Sequence, residues 1–255
     1  MSAEARFIIS SLPRCGSTAL AKLVNCHSDI RCIVEPFHPK LYDGRFNACS
    51  TTEGTIDQAL QVIWARCNGI KHVWETSGWP FLGRPKLNEY LITNSRAAII
   101  FLIRRNLLKR FISNHISRRT GYWIGEKDQF MRRLIKTHFD PLNVETVRRQ
   151  IKADQAAINK HIEILQTNDI RTKILYYETL FDDAASECDH LLSLNAVFSF
   201  CGYSEITLST FIEKCSVYFD FRLNRWASSD VYRRIPGICE IEKHVGSDET
   251  GWLFR

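Results

Sequence analysis

The chain has 255 residues, and its 34 Lys and Arg against 28 Asp and Glu give a formal net charge of +6. Hydrophobic residues make up 45% and charged residues 24%, which are ordinary values for a globular protein and exclude a disordered chain. A chain of this length can bury roughly three quarters of its unfolded surface. Because no Gly-, Ser- or Pro-rich linker divides the sequence, we expect a single domain over 1–255.

The sequence also bears on the compartment. No apolar run approaches the roughly 18–20 residues of a membrane span, and the first residues, MSAEARFIIS, lack the pattern of a signal peptide. The nine cysteines form no CxxC pair and no regular framework, which is typical of reduced thiols. We therefore expect a cytoplasmic protein without a membrane span. The mild basic excess fits anionic ligands but names none.

Apolar runs alternate with amphipathic stretches along the chain. The predicted strands are 5–10, 31–35, 70–74, 97–103 and 172–178. The predicted helices are 17–27, 56–67, a short one before the fourth strand, 106–119, 128–138, 144–167, 184–200 and 229–244. The run AAIIFLI at Ala97–Ile103 is apolar on both faces, as a central parallel strand is. This alternation predicts an α/β fold, a three-layer sandwich around a central parallel sheet.

The segment SLPRCGST, Ser11–Thr18, joins the first strand to the first helix. In such a turn the backbone N–H groups converge in front of a helix N-terminus, which is a geometry that binds anions. Gly16 lets the backbone approach a ligand, and we expect Ser17 and Thr18 to cap the helix and to donate hydroxyls. The GxxxxGK[ST] pattern is absent, which disfavours a nucleoside-triphosphate enzyme. A plain strand–turn–helix connection remains the alternative for this segment alone.

Charged residues follow four of the predicted strands. Arg14 follows the first strand, Glu35 ends the second, Glu75 follows the third and Arg105 follows the fourth. Functional residues of a parallel sheet gather at the carboxyl ends of its strands. We therefore expect these four charged groups to share one site.

The run from Leu12 to Phe37, with P-R-x-G-S-T, an apolar helix and then HSDIRCIVEPF, resembles the first motif of the sulfotransferase superfamily. The likeness is to the protein-tyrosine and bacterial carbohydrate sulfotransferases, with Ser28 where proline is common. It implies a P-loop-like sulfotransferase fold that binds 3′-phosphoadenosine 5′-phosphosulfate (PAPS). It also implies that Arg14 neutralises charge on the transferring sulfuryl group and that Glu35 is the general base. The residues implied to cradle the 5′-phosphosulfate are Cys15, Gly16, Ser17 and Thr18.

The run IIFLI-Arg104-Arg105-Asn106-LLKRFI-Ser113 resembles the second motif of the same family. There, an Arg after a strand and a Ser eight residues later hold the 3′-phosphate. Arg105 and Ser113 have this spacing, and Arg104 is expected as a second contact. An Arg fork and a hydroxyl two helical turns later suit a phosphate. The remaining basic residues of this helix are expected to form a solvated face: Lys109, Arg110, Arg118 and Arg119.

Three further segments resemble the family more weakly. Gly69–Trp74 is similar to a G-x-K-x-x-W stretch, in which Lys71 either reaches the sulfuryl group or snorkels out of a partly buried strand. Glu75 is an open candidate for a second base. Tyr176–Leu180 is similar to a Y-E-x-L strand expected to be structural. Leu223–Trp226 is similar to a loop that closes over the nucleotide, which implies a further phosphate contact from Arg225.

The resemblance implies a PAPS-dependent sulfotransferase that acts on a hydroxyl of a carbohydrate or glycosylated small molecule. The helical region 115–170 is expected on the acceptor side. No nucleic-acid partner is expected. No metal is expected either, because the cysteines and histidines lack zinc spacing and no acidic cluster is visible. Two alternatives remain open: a P-loop-type small-molecule kinase, and a non-catalytic polyanion-binding protein that uses the basic helix 104–119.

Overall fold

The computed structural model describes residues 5–41, 46, 52–81, 83–123, 126–219 and 229–254. Contacts between Cα atoms divide the chain into two compact units. The first consists of Met1–Ile103 with Ile158–Tyr218, and the second of Arg104–Ala157 with Phe219–Arg255. The single domain over 1–255 stays a prediction.

The first unit is built on a sheet of five strands. These are β1 (Phe7–Ser11), β2 (Cys32–Val34), β3 (Gly69–Val73), β4 (Ala98–Ile103) and β5 (Thr172–Tyr176). All strand pairs are parallel, and the order across the sheet is β2-β3-β1-β4-β5. Every residue of β1, β3 and β4 is buried, as the apolar run AAIIFLI predicts for β4; in β3 the buried residues include Lys71 and His72. The α/β class with a central parallel sheet is confirmed.

The helices are α1 (Ser17–Val24), α2 (Glu53–Trp64), α3 (Pro85–Asn94), α4 (Leu107–Thr120), α5 (Lys127–Lys136), α6 (Val144–Thr167), α7 (Tyr177–Leu180), α8 (Glu187–Cys201), α9 (Leu208–Lys214), α10 (Ser229–Tyr232) and α11 (Ile238–Val245). A short 3₁₀ turn spans Ser216–Tyr218. None of these helices, within the residues described, is long and apolar enough to cross a membrane.

Strand order fixes the side of the sheet on which the helices of the first unit lie. The crossover from β1 to β2 runs in one direction across the sheet, and those from β2 to β3 and from β3 to β4 run in the other. Because parallel crossovers are right-handed, α1 lies on one face, and α2 and α3 lie on the opposite face. Helices on both faces give the three layers that the sequence predicts.

Local sequence explains where several helices begin. Thr52 caps α2 with a reciprocal bond pattern to Thr55, and Ser186 does the same for α8 with Asp189. Thr207 caps α9, a helix that the sequence analysis did not predict. Each cap satisfies backbone N–H groups that have no partner inside the helix.

Two of the predicted elements are divided differently in the structure. The predicted strand 172–178 ends at Tyr176, and α7 begins directly after it. The predicted helix 229–244 is wrong as one element, because it is divided into α10 and α11. Between them, Pro236 lacks an N–H group and Gly237 has a φ of 75°, so neither continues a helix.

The second unit contains a buried ion pair on α4 and α6. Arg110 donates to Asp154 Oδ2, and Gln150 donates to Asp154 Oδ1 at 3.0 Å. The expectation that Arg110 belongs to a solvated face is therefore wrong. Asn106 caps α4 by accepting a bond from the Lys109 N–H at 2.7 Å.

Candidate functional site

The turn between β1 and α1 contains two residues in the left-handed backbone region. Arg14 and Gly16 both have positive φ angles, 67° and 87°. A Cβ atom at Gly16 would lie 2.6 Å from Cδ2 of the Tyr177 ring, so only glycine fits there. Tyr177 belongs to the Y-E-x-L segment, which therefore packs against this turn, Ser11–Thr18, here called the glycine turn.

The N-terminus of α1 carries no side-chain cap. Gly16 is the N-cap residue, and its carbonyl accepts a bond from Leu20 N–H at 3.0 Å. The expectation that Ser17 and Thr18 cap the helix is wrong, because Gly16 takes the cap position and the Thr18 hydroxyl accepts a bond from Lys71. The first turn of α1 also holds no acidic residue. The positive end of the helix dipole is thus left for an anion.

Lys71 connects the glycine turn to Glu35. It lies in β3 opposite Ile9 of β1, and its side chain is 2% exposed. The ammonium donates to Thr18 Oγ1 at 2.8 Å and to Glu35 Oε1, with which it forms an ion pair. Of the two alternatives left open for Lys71, the structure therefore favours the buried contact at the turn over a head that snorkels into solvent.

Glu35 is held in an uncommon backbone conformation directly after β2. Its φ is 48°, a region that residues other than glycine rarely occupy. The Glu35 N–H donates to the Lys71 carbonyl at 2.8 Å, and the His38 N–H donates to the Glu35 carbonyl at 3.0 Å. Such conformations persist only where the surrounding structure enforces them, and they cluster at functional sites.

The charges of this cluster act on one another. Burial lowers the pKa of Lys71, the negative charge of Glu35 opposes this, and the positive charge of Arg14 lowers it further. Arg14 and Lys71 therefore both place positive charge near Glu35. Positive charge beside a helix N-terminus suits an anionic ligand.

Glu35 also lines a small open cavity. Its other lining residues are Phe37, His38, His72, Val73 and Pro80. His38 Nδ1 accepts a bond from the Lys40 N–H at 3.1 Å, so the neutral ring carries its proton on Nε2. Burial lowers the pKa of His38, whereas the charge of Glu35 raises it. The sequence analysis missed His38, although it follows Glu35 by three residues.

The other predicted site residues are placed as follows. Cys15 and Ser17 are buried within the glycine turn. Glu75 follows β3 by two residues, and its carboxylate accepts a bond from Ser77 Oγ at 3.3 Å. The second unit contains three more: Arg104, half-buried; Arg105, exposed; and Ser113, buried on α4. Arg225 lies outside the described residues. The roles of these residues stay predictions.

Comparisons with known proteins add a likeness of fold. No family model matches the sequence, and no curated protein matches it. Among solved structures, the chain is similar to the mouse sulfotransferase SULT7A1 complexed with PAP, with 13% identity and a TM-score of 0.45. The likeness covers 85% of this chain and 64% of that chain, so this chain spans less than two thirds of SULT7A1. Similarity at this level carries no argument about activity, and the function proposed below rests on this chain's own residues.

Proposed function

We propose that the protein is a sulfotransferase that uses PAPS as sulfuryl donor and a hydroxyl group as acceptor. The observation that carries the proposal is the contact of Lys71 with both Thr18 of the glycine turn and Glu35. It brings an anion-binding turn and a carboxylate to one place. The sequence resemblance of Leu12–Phe37 supplies the identity of the donor.

The glycine turn fits the 5′-phosphosulfate of the donor. The first turn of α1 holds no acidic residue, and Arg14 and Lys71 supply positive charge. When bound, PAPS supplies a sulfuryl group on a phosphate leaving group. Arg14, Lys71 and the turn amides stabilise charge that develops there, and one such preorganised donor contributes about 3–4 kcal/mol. The residues proposed for the 3′-phosphate are Arg105 and Ser113, with Arg104 and Arg225 as further contacts.

Glu35 is the proposed general base. Its carboxylate lines the small cavity and takes the proton from the acceptor hydroxyl, a role worth about 10²- to 10⁴-fold in rate. The bond from Lys71 to Oε1 fixes the carboxylate's orientation. Since Arg14 and Lys71 already provide two positive charges, the proposal includes no metal.

The proposed acceptor is a carbohydrate or a glycosylated small molecule, and the proposed compartment is the cytoplasm. Both rest on the sequence alone. Fold and donor do not fix the acceptor, because the acceptor-binding part of a site varies within one architecture.

Calorimetric titration with 3′-phosphoadenosine 5′-phosphate (PAP), the desulfated product, tests the donor. Parallel titrations use adenosine 5′-monophosphate and ATP with Mg²⁺. Each charged hydrogen bond to the 3′-phosphate contributes about 1.5–3 kcal/mol, so PAP is expected to bind more than tenfold tighter than the monophosphate. Equal binding of the two would reject the donor assignment, and preference for ATP with Mg²⁺ would support the kinase alternative.

A matched pair of lysine variants tests whether Lys71 belongs to the donor site. Lys71→Met removes the ammonium at the turn and is expected to weaken PAP binding by tenfold or more. Lys86→Met removes an exposed ammonium on α3 and is expected to leave binding unchanged. Equal affinities of both variants for PAP would remove Lys71 from the donor site.

A further inference from the structure

Two cysteines far apart in sequence lie side by side in the first unit. Cys26 follows α1 by two residues, and Cys215 directly follows α9. Cys26 Sγ donates to the Lys214 carbonyl at 3.2 Å, and the two thiols are hydrogen-bonded to one another. Both cysteines are free thiols in the structure.

The backbone holds each sulfur in place. Cys26 N–H donates to the Leu23 carbonyl at 3.1 Å, and Cys215 N–H donates to the Phe211 carbonyl at 2.8 Å. The Lys22 ammonium lies 5.6 Å from the centre of the Tyr218 ring, so a cation–π contact also joins α1 to the 3₁₀ turn that follows α9. The sulfurs are therefore neighbours because of ordered packing on both sides.

The two thiols differ in access and in acidity. Cys26 is partly exposed, whereas Cys215 is fully buried. The hydrogen bond from Cys215 and the positive charge of Lys214 lower the pKa of Cys26. The same hydrogen bond and burial raise the pKa of Cys215. Cys26 is thus the more accessible and the more acidic of the two thiols.

We propose that Cys26 and Cys215 are a redox-active pair that a peroxide converts into a disulfide. The Cys26 thiolate attacks one peroxide oxygen, the O–O bond breaks, and the released hydroxide takes a proton to become water. This step leaves a sulfenic acid on Cys26. The Cys215 sulfur then attacks the Cys26 sulfur, the S–O bond breaks, and a second water leaves with the Cys215 proton. Two thiols are oxidised while one hydrogen peroxide is reduced to two waters.

The disulfide would join α1, the helix that follows the glycine turn, to α9. It would form between side chains that are already hydrogen-bonded to one another. The proposal does not depend on the proposed sulfotransferase activity.

Peptide mapping of the full chain tests the pair directly. Trypsin places the two residues in peptides with a single cysteine each, LVNCHSDIR for Cys26 and CSVYFDFR for Cys215. The reduced protein is treated with stoichiometric hydrogen peroxide under native conditions, alkylated and digested without reductant. The expected main product is these two peptides linked, with the loss of two hydrogen atoms, and a thiol reductant separates them.

Variants distinguish the attacking cysteine from the resolving one. Cys215→Ser is expected to abolish the link and to leave a sulfenic acid on Cys26 that dimedone traps; Cys215→Ala serves if the serine variant does not fold. Cys239→Ser, an exposed thiol of the second unit, is expected to leave the link unchanged. The proposal is overturned if Cys26 stays reduced, if its sulfenic acid persists in the wild-type protein, or if links among Cys32, Cys67 and Cys201 predominate.

Discussion

Two buried ion pairs lie in different units of the molecule, Lys71 with Glu35 in the first and Arg110 with Asp154 in the second. The basic side chains are equally hidden, at 2% and 3% exposure. The acids differ. Asp154 is 5% exposed and accepts a second bond from Gln150, whereas Glu35 is 17% exposed and lines a cavity.

The two ion pairs also differ in the backbone conformation of the residues that form them. Arg110 and Asp154 lie within the regular helices α4 and α6. Glu35 follows β2 with a φ of 48°, and Arg14 and Gly16, with positive φ angles as well, lie in the nearby turn. Burying a charge pair costs desolvation in either place. The Arg110–Asp154 pair, here called the closed pair, is expected to be structural. The Lys71–Glu35 pair, here called the open pair, lies beside strained backbone and is the one proposed to take part in chemistry.

The largest effect is expected from Glu35→Gln, because the amide still accepts the bond from Lys71 but cannot take a proton. Turnover is expected to fall about 10²- to 10⁴-fold while PAP affinity stays nearly unchanged. Release of PAP from PAPS with a panel of sugar and glycoside acceptors measures turnover, and calorimetry measures affinity.

Glu89→Gln is the matched control, because Glu89 forms an ion pair with Lys160 outside the site, with the lysine 63% exposed. It is expected to leave both quantities unchanged. Wild-type turnover in Glu35→Gln would show that the open pair is as structural as the closed one.

Asp154→Ala breaks the closed pair and is expected to lower the free energy of unfolding by about 3–5 kcal/mol, because Arg110 is left buried without its partner carboxylate. Replacing the pair with Arg110→Met and Asp154→Leu together is expected to restore most of that loss. Urea unfolding measures both.

Asp140→Ala is the control, because its partner Arg119 is exposed and such pairs contribute about 0–1 kcal/mol. An Asp154→Ala variant no less stable than Asp140→Ala would contradict the structural role of the closed pair.

The sequence alone distinguishes the surroundings of the two ion pairs only in part. The pattern of 144–167 predicts α6 with its bounds, because its apolar residues repeat at helical spacing over 24 residues. Glu35 and Gly16 were found from a contiguous motif. By contrast, Lys71 stayed undecided because its partner lies 36 residues away and meets it only through the register of β3. Arg110 was misplaced for the same reason, since its partner Asp154 lies on another helix.

The smallest effect is expected at the glycine turn, where the chain provides its own control. Gly16 and Gly237 both occupy the N-cap of a helix with positive φ, 87° and 75°. A Cβ at Gly237 meets nothing within 4 Å, whereas one at Gly16 meets the Tyr177 ring.

Gly237→Ala is therefore expected to lower stability by about 1–2 kcal/mol, the cost of a left-handed backbone for an L-residue. Gly16→Ala adds displacement of Tyr177, about 1 kcal/mol or more, and also weakens PAP binding. Urea unfolding and calorimetry of both variants separate these contributions. If Gly16→Ala matched Gly237→Ala in stability and in PAP affinity, the turn would be an ordinary connection between β1 and α1. The proposal that PAPS binds beside the Lys71–Glu35 pair would then be rejected.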